Sequence, residues 1–364
     1  MPTKSRAVRV TLLFFMSERI VIPRYSEDSM SDIQHQFVKK ILTSAHHAAY
    51  EKGIGVAPSN IALCKYWGKR DTLLNLPMNG SLSIALGNKG TRTQVRRVAT
   101  DRFLLNGEEV NPNSAFAQRL SRFLDLFREA TRAPGFEVIT ENTIPTAAGL
   151  ASSASGYAAL VLALNDLAGW DLPRQLLSML ARLGSGSASR SLYDGFAIWH
   201  KGERADGSDS FAEAVDSPWR NFRVGVLTLT QAEKAISSRE GMQRTVETSA
   251  RYAAWPARAE ADLKRLHAAV LARDMVAVGE LAEANALEMH ATMREAQPPV
   301  DYFLPETHAT IARVHELRAA GHPIYLTIDA GPNVKLLFEA DQADVVKQAF
   351  EAVEIIDPFE AIDA

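Results

Sequence analysis

The run Pro145-Thr146-Ala147-Ala148-Gly149-Leu150-Ala151-Ser152-Ser153-Ala154-Ser155-Gly156 sets small side chains and hydroxyls directly before the apolar stretch Tyr157 to Leu167. A strand-like segment, Phe136 to Thr140, lies just upstream. Strand, small-residue loop and helix N-terminus together suit an anionic phosphate, because free backbone N–H groups and the positive helix end point at the ligand. Alanine and glycine let the backbone approach closely, and Ser152 and Ser153 add hydroxyl donors. No Gly-Lys-Ser/Thr closes the loop and no Gly-x-Gly-x-x-Gly is present, so it is neither a Walker A sequence nor a dinucleotide fingerprint. By itself the segment also fits an ordinary capped helix behind a tight turn.

Three other segments carry chemistry-bearing residues. Ala57 to Asp71 starts as an apolar strand and ends in Lys65, Lys69 and Arg70 interleaved with Tyr66 and Trp67. Cations at the end of a buried strand are costly unless an anion meets them, and a phosphorylated substrate would do so; the alternative is a solvated strand end. Gly184-Ser185-Gly186-Ser187-Ala188-Ser189-Arg190 reads as a flexible anion cradle with a bidentate donor at its end, or as a Gly/Ser surface loop. Thr327-Ile328-Asp329-Ala330-Gly331-Pro332-Asn333 delivers an aspartate from a strand into a Gly-Pro turn, a position that aspartate also takes for the turn alone.

The elements that must position these residues follow from periodicity and breakers. Residues 32–50 suit a helix. Strands are expected near 54–66, 80–86, 91–98, 102–106 and 136–140, helices near 150–168 and 173–183, and a strand near 193–200. Residues 204–218 read as a loop between lobes. Beyond it come a strand at 224–229, helices near 239–248, 255–272, 275–293 and 305–319, a hairpin of 324–328 and 334–338 around Asp329, and a last helix at 343–353. Strands mixed with packed helices indicate an α+β architecture. The expected division is an N-terminal extension over 1–50, of which 1–29 is disordered, a first lobe over 51–221 and a second over 222–364.

Composition narrows the function. The chain has 364 residues, 46% of them hydrophobic, enough for a large core or two domains. A net charge of −3 gives no global field for nucleic acid or a membrane surface, so neither is an expected partner. The single cysteine, Cys64, rules out an intrachain disulfide and reads as a small core residue. Of nine histidines, His46, His47 and His290 stand out, but no His-Glu-x-x-His spacing exists and no protein-held zinc is expected. Lys4, Arg6 and Arg9 precede a short apolar run, Val10 to Met16, that resembles a signal-peptide core; Ser17-Glu18-Arg19 interrupts it without an Ala-x-Ala site. The segment is read as a dispensable extension on a cytoplasmic protein, with Met30 as an alternative start.

Taken together, the order and wording of the motifs resemble the mevalonate diphosphate decarboxylases of the galactokinase, homoserine kinase, mevalonate kinase and phosphomevalonate kinase (GHMP) superfamily. The resemblance rests on Lys-Tyr-Trp-Gly-Lys-Arg-Asp (65–71), Leu-Pro-x-Asn-x-Ser-Leu-Ser (76–83), Pro-Thr-Ala-Ala-Gly-Leu-Ala-Ser-Ser (145–153), Gly-Ser-Gly-Ser-Ala-x-Arg-Ser-Leu-Tyr (184–193), Val-Glu-Thr-Ser (246–249) and Asp-Ala-Gly-Pro-Asn (329–333). It implies the two-lobed GHMP-kinase-like fold with the active site in the inter-lobe cleft, and ATP-dependent decarboxylation of (R)-mevalonate 5-diphosphate to isopentenyl diphosphate in the mevalonate route to isoprenoids.

The resemblance also implies roles. Asp329 is the base or orienting group for the 3-hydroxyl, Arg190 grips the substrate carboxylate with help from Asn60, and Lys65 counters charge as the phosphoryl group transfers. Tyr66, Lys69, Ser185 and Ser187 hold the 5-diphosphate. Ala148, Gly149, Leu150, Ala151, Ser152 and Ser153 bind ATP, with Ser153 facing the reacting groups and Mg²⁺ arriving through ATP phosphates. A homodimer is implied. Two departures stand out: the stretch Glu108 to Phe116 holds no arginine where the family's diphosphate pocket uses one, the next being Arg119, and Gly80 replaces a usual serine. Another cation must substitute, or the substrate carries fewer phosphates. The alternatives are therefore a mevalonate 5-phosphate decarboxylase and a GHMP small-molecule kinase without decarboxylation; a non-catalytic binding protein would be expected to lose some of these charged groups.

Overall fold

A computed structural model describes residues 27–46, 48, 50–143, 152–232 and 234–360. Its first half runs α1 (Glu27–Leu42), β1 (Lys52–Cys64), β2 (Lys69–Asp71), β3 (Leu76–Pro77), β4 (Ser81–Val98), β5 (Arg102–Leu105), β6 (Glu108–Glu109), α2 (Ala115–Thr131), β7 (Gly135–Asn142), α3 (Ser152–Ala168), α4 (Arg174–Gly184), β8 (Phe196–Trp199) and β9 (Ala212–Ala214). The second half runs β10 (Phe222–Leu227), α5 (Ser238–Thr248), α6 (Trp255–Ala272), α7 (Met275–Arg294), α8 (Pro305–Ala319), β11 (Tyr325–Ile328), β12 (Val334–Glu339), α9 (Ala343–Ala349) and β13 (Glu354–Ile356). The first lobe is built on a seven-stranded sheet of order β6-β5-β7-β4-β8-β9, with β1 also paired to β4. The second is built on a four-stranded sheet, β11-β12-β10-β13. Among the described residues no helix is long and apolar enough to cross a membrane.

Burial along β1 shows how the lobes meet. Residues 52–56 alternate between buried and partly exposed, as expected of a strand covered on one face, whereas all of 57–64 are buried. The change occurs where the second lobe covers the other face. Ile61, Leu63 and Cys64 share one apolar cluster with Leu263, Leu266 and Val270 of α6 and Val278 and Ala282 of α7. On the other side α3 lies directly on β1. A Cβ at Gly55 would sit 2.1 Å from the Ala159 carbonyl oxygen, and one at Gly53 2.1 Å from that of Ala163, so only glycine admits the helix at this depth.

Several expectations need correction. The strands expected at 80–86 and 91–98 form one strand, because β1 keeps pairing across a bulge: Pro58 faces Gly90, then Asn60 faces Ala85, absorbing the residues between. The Gly/Ser segment after α4 is not a flexible loop; Gly186–Leu192 is a 3-10 helix with Ala188, Ser189, Arg190 and Ser191 buried. Residues 204–218, read as a loop, contain β9, which adds to β8 at the sheet edge. The first helix lies at 27–42, not 32–50; Phe37, Val38, Ile41 and Leu42 anchor it in the first-lobe core, while Ala48 and Tyr50 donate N–H bonds to the end of α3. Glu27 to Ser29 therefore begin α1, whereas the rest of the expected disordered segment lies outside the described residues. Helix α2 was not anticipated. Its apolar face (Phe123, Leu124, Leu126, Phe127) is interleaved with Arg119, Arg122 and Arg128 and packs on the tertiary core.

Candidate active site

Strand β1 ends at Cys64, so Lys65 emerges at the seam between the lobes. Its backbone is pinned on both sides: the Lys65 N–H donates to Asn285 Oδ1 (2.8 Å) on α7, and its carbonyl accepts from Asn79 Nδ2 (2.9 Å). Asp329 arrives from the opposite side, at the turn between β11 and β12. That turn is held to the β10 end by Asn333, whose Oδ1 accepts from Leu229 and Thr230 N–H at 2.8 and 3.1 Å. Lys65 Nζ reaches Asp329 Oδ1 at 2.7 Å and also donates to the Ala62 carbonyl at 2.7 Å. Burial pushes the ammonium of Lys65 down and the Asp329 carboxylate holds it up, leaving a net depression. For Asp329, burial would raise the carboxyl. Lys65, Lys335 and Lys234 outweigh it and hold the pKa at about 2, so this carboxylate is ionised at any physiological pH.

Lys335 and Lys234 were not singled out from the sequence. Lys335, on β12, places Nζ 3.8 Å from Asp329 Oδ2 and is pushed down to about 8, first by burial. Its signal was a lysine inside the apolar run Val334-Lys335-Leu336-Leu337-Phe338, which the fold buries. His290, noted only as an unlikely zinc ligand, donates Nε2–H to the Asp329 carbonyl (3.1 Å) and packs against Phe303, with ring centroids 4.3 Å apart and the planes tilted by 42°. Burial keeps it neutral, with a pKa of about 3.

Arg190, from the 3-10 helix, is buried beneath the same site. Nε and Nη2 donate to Asn60 Oδ1 at 3.4 and 3.3 Å, Nη1 donates to Ser81 Oγ, and the guanidinium lies 5.9 Å from the Trp199 ring centroid. Asn60 is oriented in turn by donating to Ser191 Oγ (2.7 Å) and the Ser187 carbonyl (3.2 Å). Burial brings Arg190 down to about 10, and the first opposing influence is the charge of Asp329. Its hydrogen-bond partners among the described residues are neutral, so its charge is left for an anion.

Around Arg190 the remaining residues form a row of donors. Lys69 Nζ donates to Asn75 Oδ1 at 2.5 Å, again a neutral partner. Burial first, then the charge of Arg239, bring Lys69 to about 8. The Tyr66 hydroxyl is buried with no hydrogen-bond partner among the described residues, and burial pushes its pKa up. Ser153 Oγ, on the first turn of α3, is 3.5 Å from Ser185 Oγ, which is 3.2 Å from Ser187 Oγ. The sequence-derived residues Ala148 to Ala151 lie outside the described residues, as does the side chain of Ser152.

The surroundings of both departures are defined. Arg239, exposed at the start of α5 and in no hydrogen bond or ion pair with the described residues, acts electrostatically on Lys69, Tyr66 and Tyr157. It places a cation near Lys69 and Tyr66 that the sequence reading did not single out. Arg119 acts on Tyr157. At Gly80 a Cβ would meet Leu263 Cδ2 at 2.6 Å and the Trp199 carbonyl at 3.1 Å, while the Gly80 N–H donates to Glu260 Oε1. The helix α6 side chains occupy the space a serine would need.

Comparison with known proteins decides the family. Residues 57–212 match the family model described as the diphosphomevalonate decarboxylase-like N-terminal domain, and 224–360 the mevalonate 5-diphosphate decarboxylase C-terminal domain. The chain belongs to the diphosphomevalonate decarboxylase family. Among its relatives, the diphosphomevalonate decarboxylase of Bos taurus is 38% identical over 82% of this chain and 78% of its own length. The Saccharomyces cerevisiae decarboxylase is 35% identical over 78% of this chain and 77% of its own. The crystal structure of mevalonate diphosphate decarboxylase from Staphylococcus aureus superposes with a TM-score of 0.81 at 38% identity, covering 86% of this chain and 97% of that one. A structure of MDDEF in complex with MVAPP, AMPPCP and magnesium gives 0.79 at 42% identity, covering 84% and 95%. These decarboxylase structures share the two-lobed GHMP-kinase fold with this chain. Among the described residues of this family member, no three His, Cys, Asp or Glu side chains converge as a metal-ligand set.

Proposed function

We infer that the protein catalyses the ATP-dependent decarboxylation of (R)-mevalonate 5-diphosphate to isopentenyl diphosphate, releasing ADP, phosphate and carbon dioxide. Residues 51–221 and 222–364 form the lobes on either side of its active site. The observation that carries this reading is the charge arrangement. One ionised carboxylate is matched by lysines, while buried Arg190 and part-buried Lys69 have hydrogen-bond partners that are neutral amides and hydroxyls, with Asp71 acting on Lys69 only through its charge. Cations hydrogen-bonded to neutral partners and an orphaned Tyr66 hydroxyl suit an anion bearing a carboxylate and phosphates.

The chemistry follows from those placements. The tertiary 3-hydroxyl attacks the γ-phosphorus of ATP, ADP departs, and a poor leaving group becomes a good one. Cleavage of the C3–O bond then develops positive charge beside the carboxylate. The C1–C2 bond breaks, carbon dioxide leaves, and its electron pair forms the double bond. With a pKa of about 2, Asp329 is a weak proton acceptor before substrate binds. Its work is to orient the hydroxyl and take its proton late, in a loose transition state that asks little of a base. Lys65 and Lys335 balance the charge on the transferring phosphoryl group. Mg²⁺ enters on the ATP phosphates and neutralises part of the same charge. Lys69, Arg239, Tyr66, Ser185 and Ser187 hold the 5-diphosphate, and Arg190 the carboxylate.

Product analysis with ATP and either mevalonate 5-diphosphate or mevalonate 5-phosphate tests the assignment. Carbon dioxide release with kcat/KM favouring the diphosphate is expected; preference for the monophosphate would move the protein to the other decarboxylase, and a stable 3-phosphate would make it a kinase. From the family resemblance the protein is also taken to be a cytoplasmic homodimer, which sedimentation of the purified chain and imaging of a tagged copy would check.

A further inference from the structure

Asn75 is the last residue of the turn that joins β2 to β3, and it is 3% exposed with φ +50°. Asparagine is among the few non-glycine residues that enter the left-handed region readily, and a buried one has to satisfy four hydrogen-bonding positions within the protein. Oδ1 accepts from Lys69 Nζ at 2.5 Å. Nδ2 donates to the carbonyls of Arg182 (2.8 Å) and Leu183 (2.9 Å), in the last turn of α4. Those carbonyls have no intrahelical partners of their own. The next residue but one is Ser185, whose hydroxyl begins the row with Ser187 and Ser153.

We propose that Asn75 is a positioning residue for substrate diphosphate: its amide fixes Lys69 at a set distance from the Ser185–Ser187 hydroxyls. The proposal rests on the reading that Lys69 and these serines bind the diphosphate. The residue type follows from the task. The amide needs one acceptor for an ammonium and two donors for helix carbonyls. It must also remain neutral, because a carboxylate there would cancel the charge that Lys69 presents to phosphate. Aspartate satisfies the first need only, leucine none. The two Nδ2 bonds tie a short hairpin to the end of a helix and the third holds Lys69 to that hairpin, so the two halves of the cradle cannot drift apart while empty. Substrate then meets a preorganised set of donors.

The test uses Asn75→Gly, since glycine occupies φ +50° without strain and removes only the side chain. Its KM for mevalonate 5-diphosphate should rise about tenfold, with kcat within twofold and KM for ATP unchanged, the pattern of lost uniform binding. Lys69→Met should raise the same KM, and in that background Asn75→Gly should add less than twofold. Asn75→Asp, also compatible with φ > 0, keeps the acceptor but neutralises Lys69 and repels the α4 carbonyls; it too should raise KM selectively. Unchanged KM in either folded Asn75 variant, with only a lower melting temperature, would reduce Asn75 to a helix cap and overturn the proposal. Multiplicative effects of Lys69→Met and Asn75→Gly would overturn it as well. An unchanged KM in Lys69→Met would instead remove Lys69 from the substrate site, and the proposal with it.

Discussion

At the residue scale, the site separates charges that are already matched from charges that wait for a ligand. Asp329 belongs to the first kind, ion-paired to Lys65 at 2.7 Å. Asp329→Asn keeps the shape but neither neutralises the lysines nor accepts a proton. Turnover should fall at least ~10²-fold while nucleotide affinity, measured by calorimetry, stays within a few-fold. Lys69 belongs to the second kind, and its pKa near 8 against an unfolded value of 10.5 gives a signed prediction. Between those pH values the unfolded chain retains a proton that the native chain has shed, so native stability rises with pH across the window. Relative to Lys69→Met, the empty wild-type protein should gain stability above pH 8 in thermal melts. Its affinity for the diphosphate should fall over the same range, because neutral Lys69 no longer attracts phosphate.

At the scale of elements, the position of α3, whose first turn carries Ser153, is set by its contact with β1. Gly55 leaves no room for a side chain, with the Ala159 carbonyl oxygen 2.1 Å from where a Cβ would stand. Gly55→Ala must therefore lift the helix that carries Ser153. The expected results are a loss of ~1–3 kcal/mol in chemical denaturation and a larger rise in KM for ATP than for mevalonate 5-diphosphate. Equal rises in both constants would mean that the helix shift spreads to Arg190 and Lys69.

At the scale of the whole molecule, the lobes share a core instead of a hinge. Phe196 of β8 lies 5.3 Å from Phe222 and 6.2 Å from Phe359, ring centroid to ring centroid, inside the cluster that also holds residues of β1, α6 and α7. Unfolding one lobe would expose this surface on the other. The protein should melt in a single transition, and Phe196→Ala should lower that transition by ~3–5 kcal/mol without splitting it. Coincidence of near- and far-ultraviolet circular dichroism through the melt checks this.

The sequence by itself determined the local elements and the chemistry-bearing side chains. Periodicity marked α6, α7, α8 and the β11–β12 hairpin to within two residues, because each buries one regular face. Motif wording singled out Lys65, Arg190, Asp329, Asn60 and Lys69. Only tertiary structure decided which of these meet. The Lys65–Asp329 contact spans 264 residues, and no local periodicity encodes such a separation. Arg239 looks like an ordinary helix residue until the second lobe is folded against the first, whereas Lys335 and His290 meet Asp329 within the second lobe. The Gly/Ser run after α4 is the clearest case. Its composition favours a mobile loop, yet packing against Tyr66 and Trp199 and the hydrogen bonds to Asn60 and Ser81 order it as a buried 3-10 helix. Local preference is worth a few tenths of a kcal/mol per residue, and burial with satisfied hydrogen bonds outweighs it.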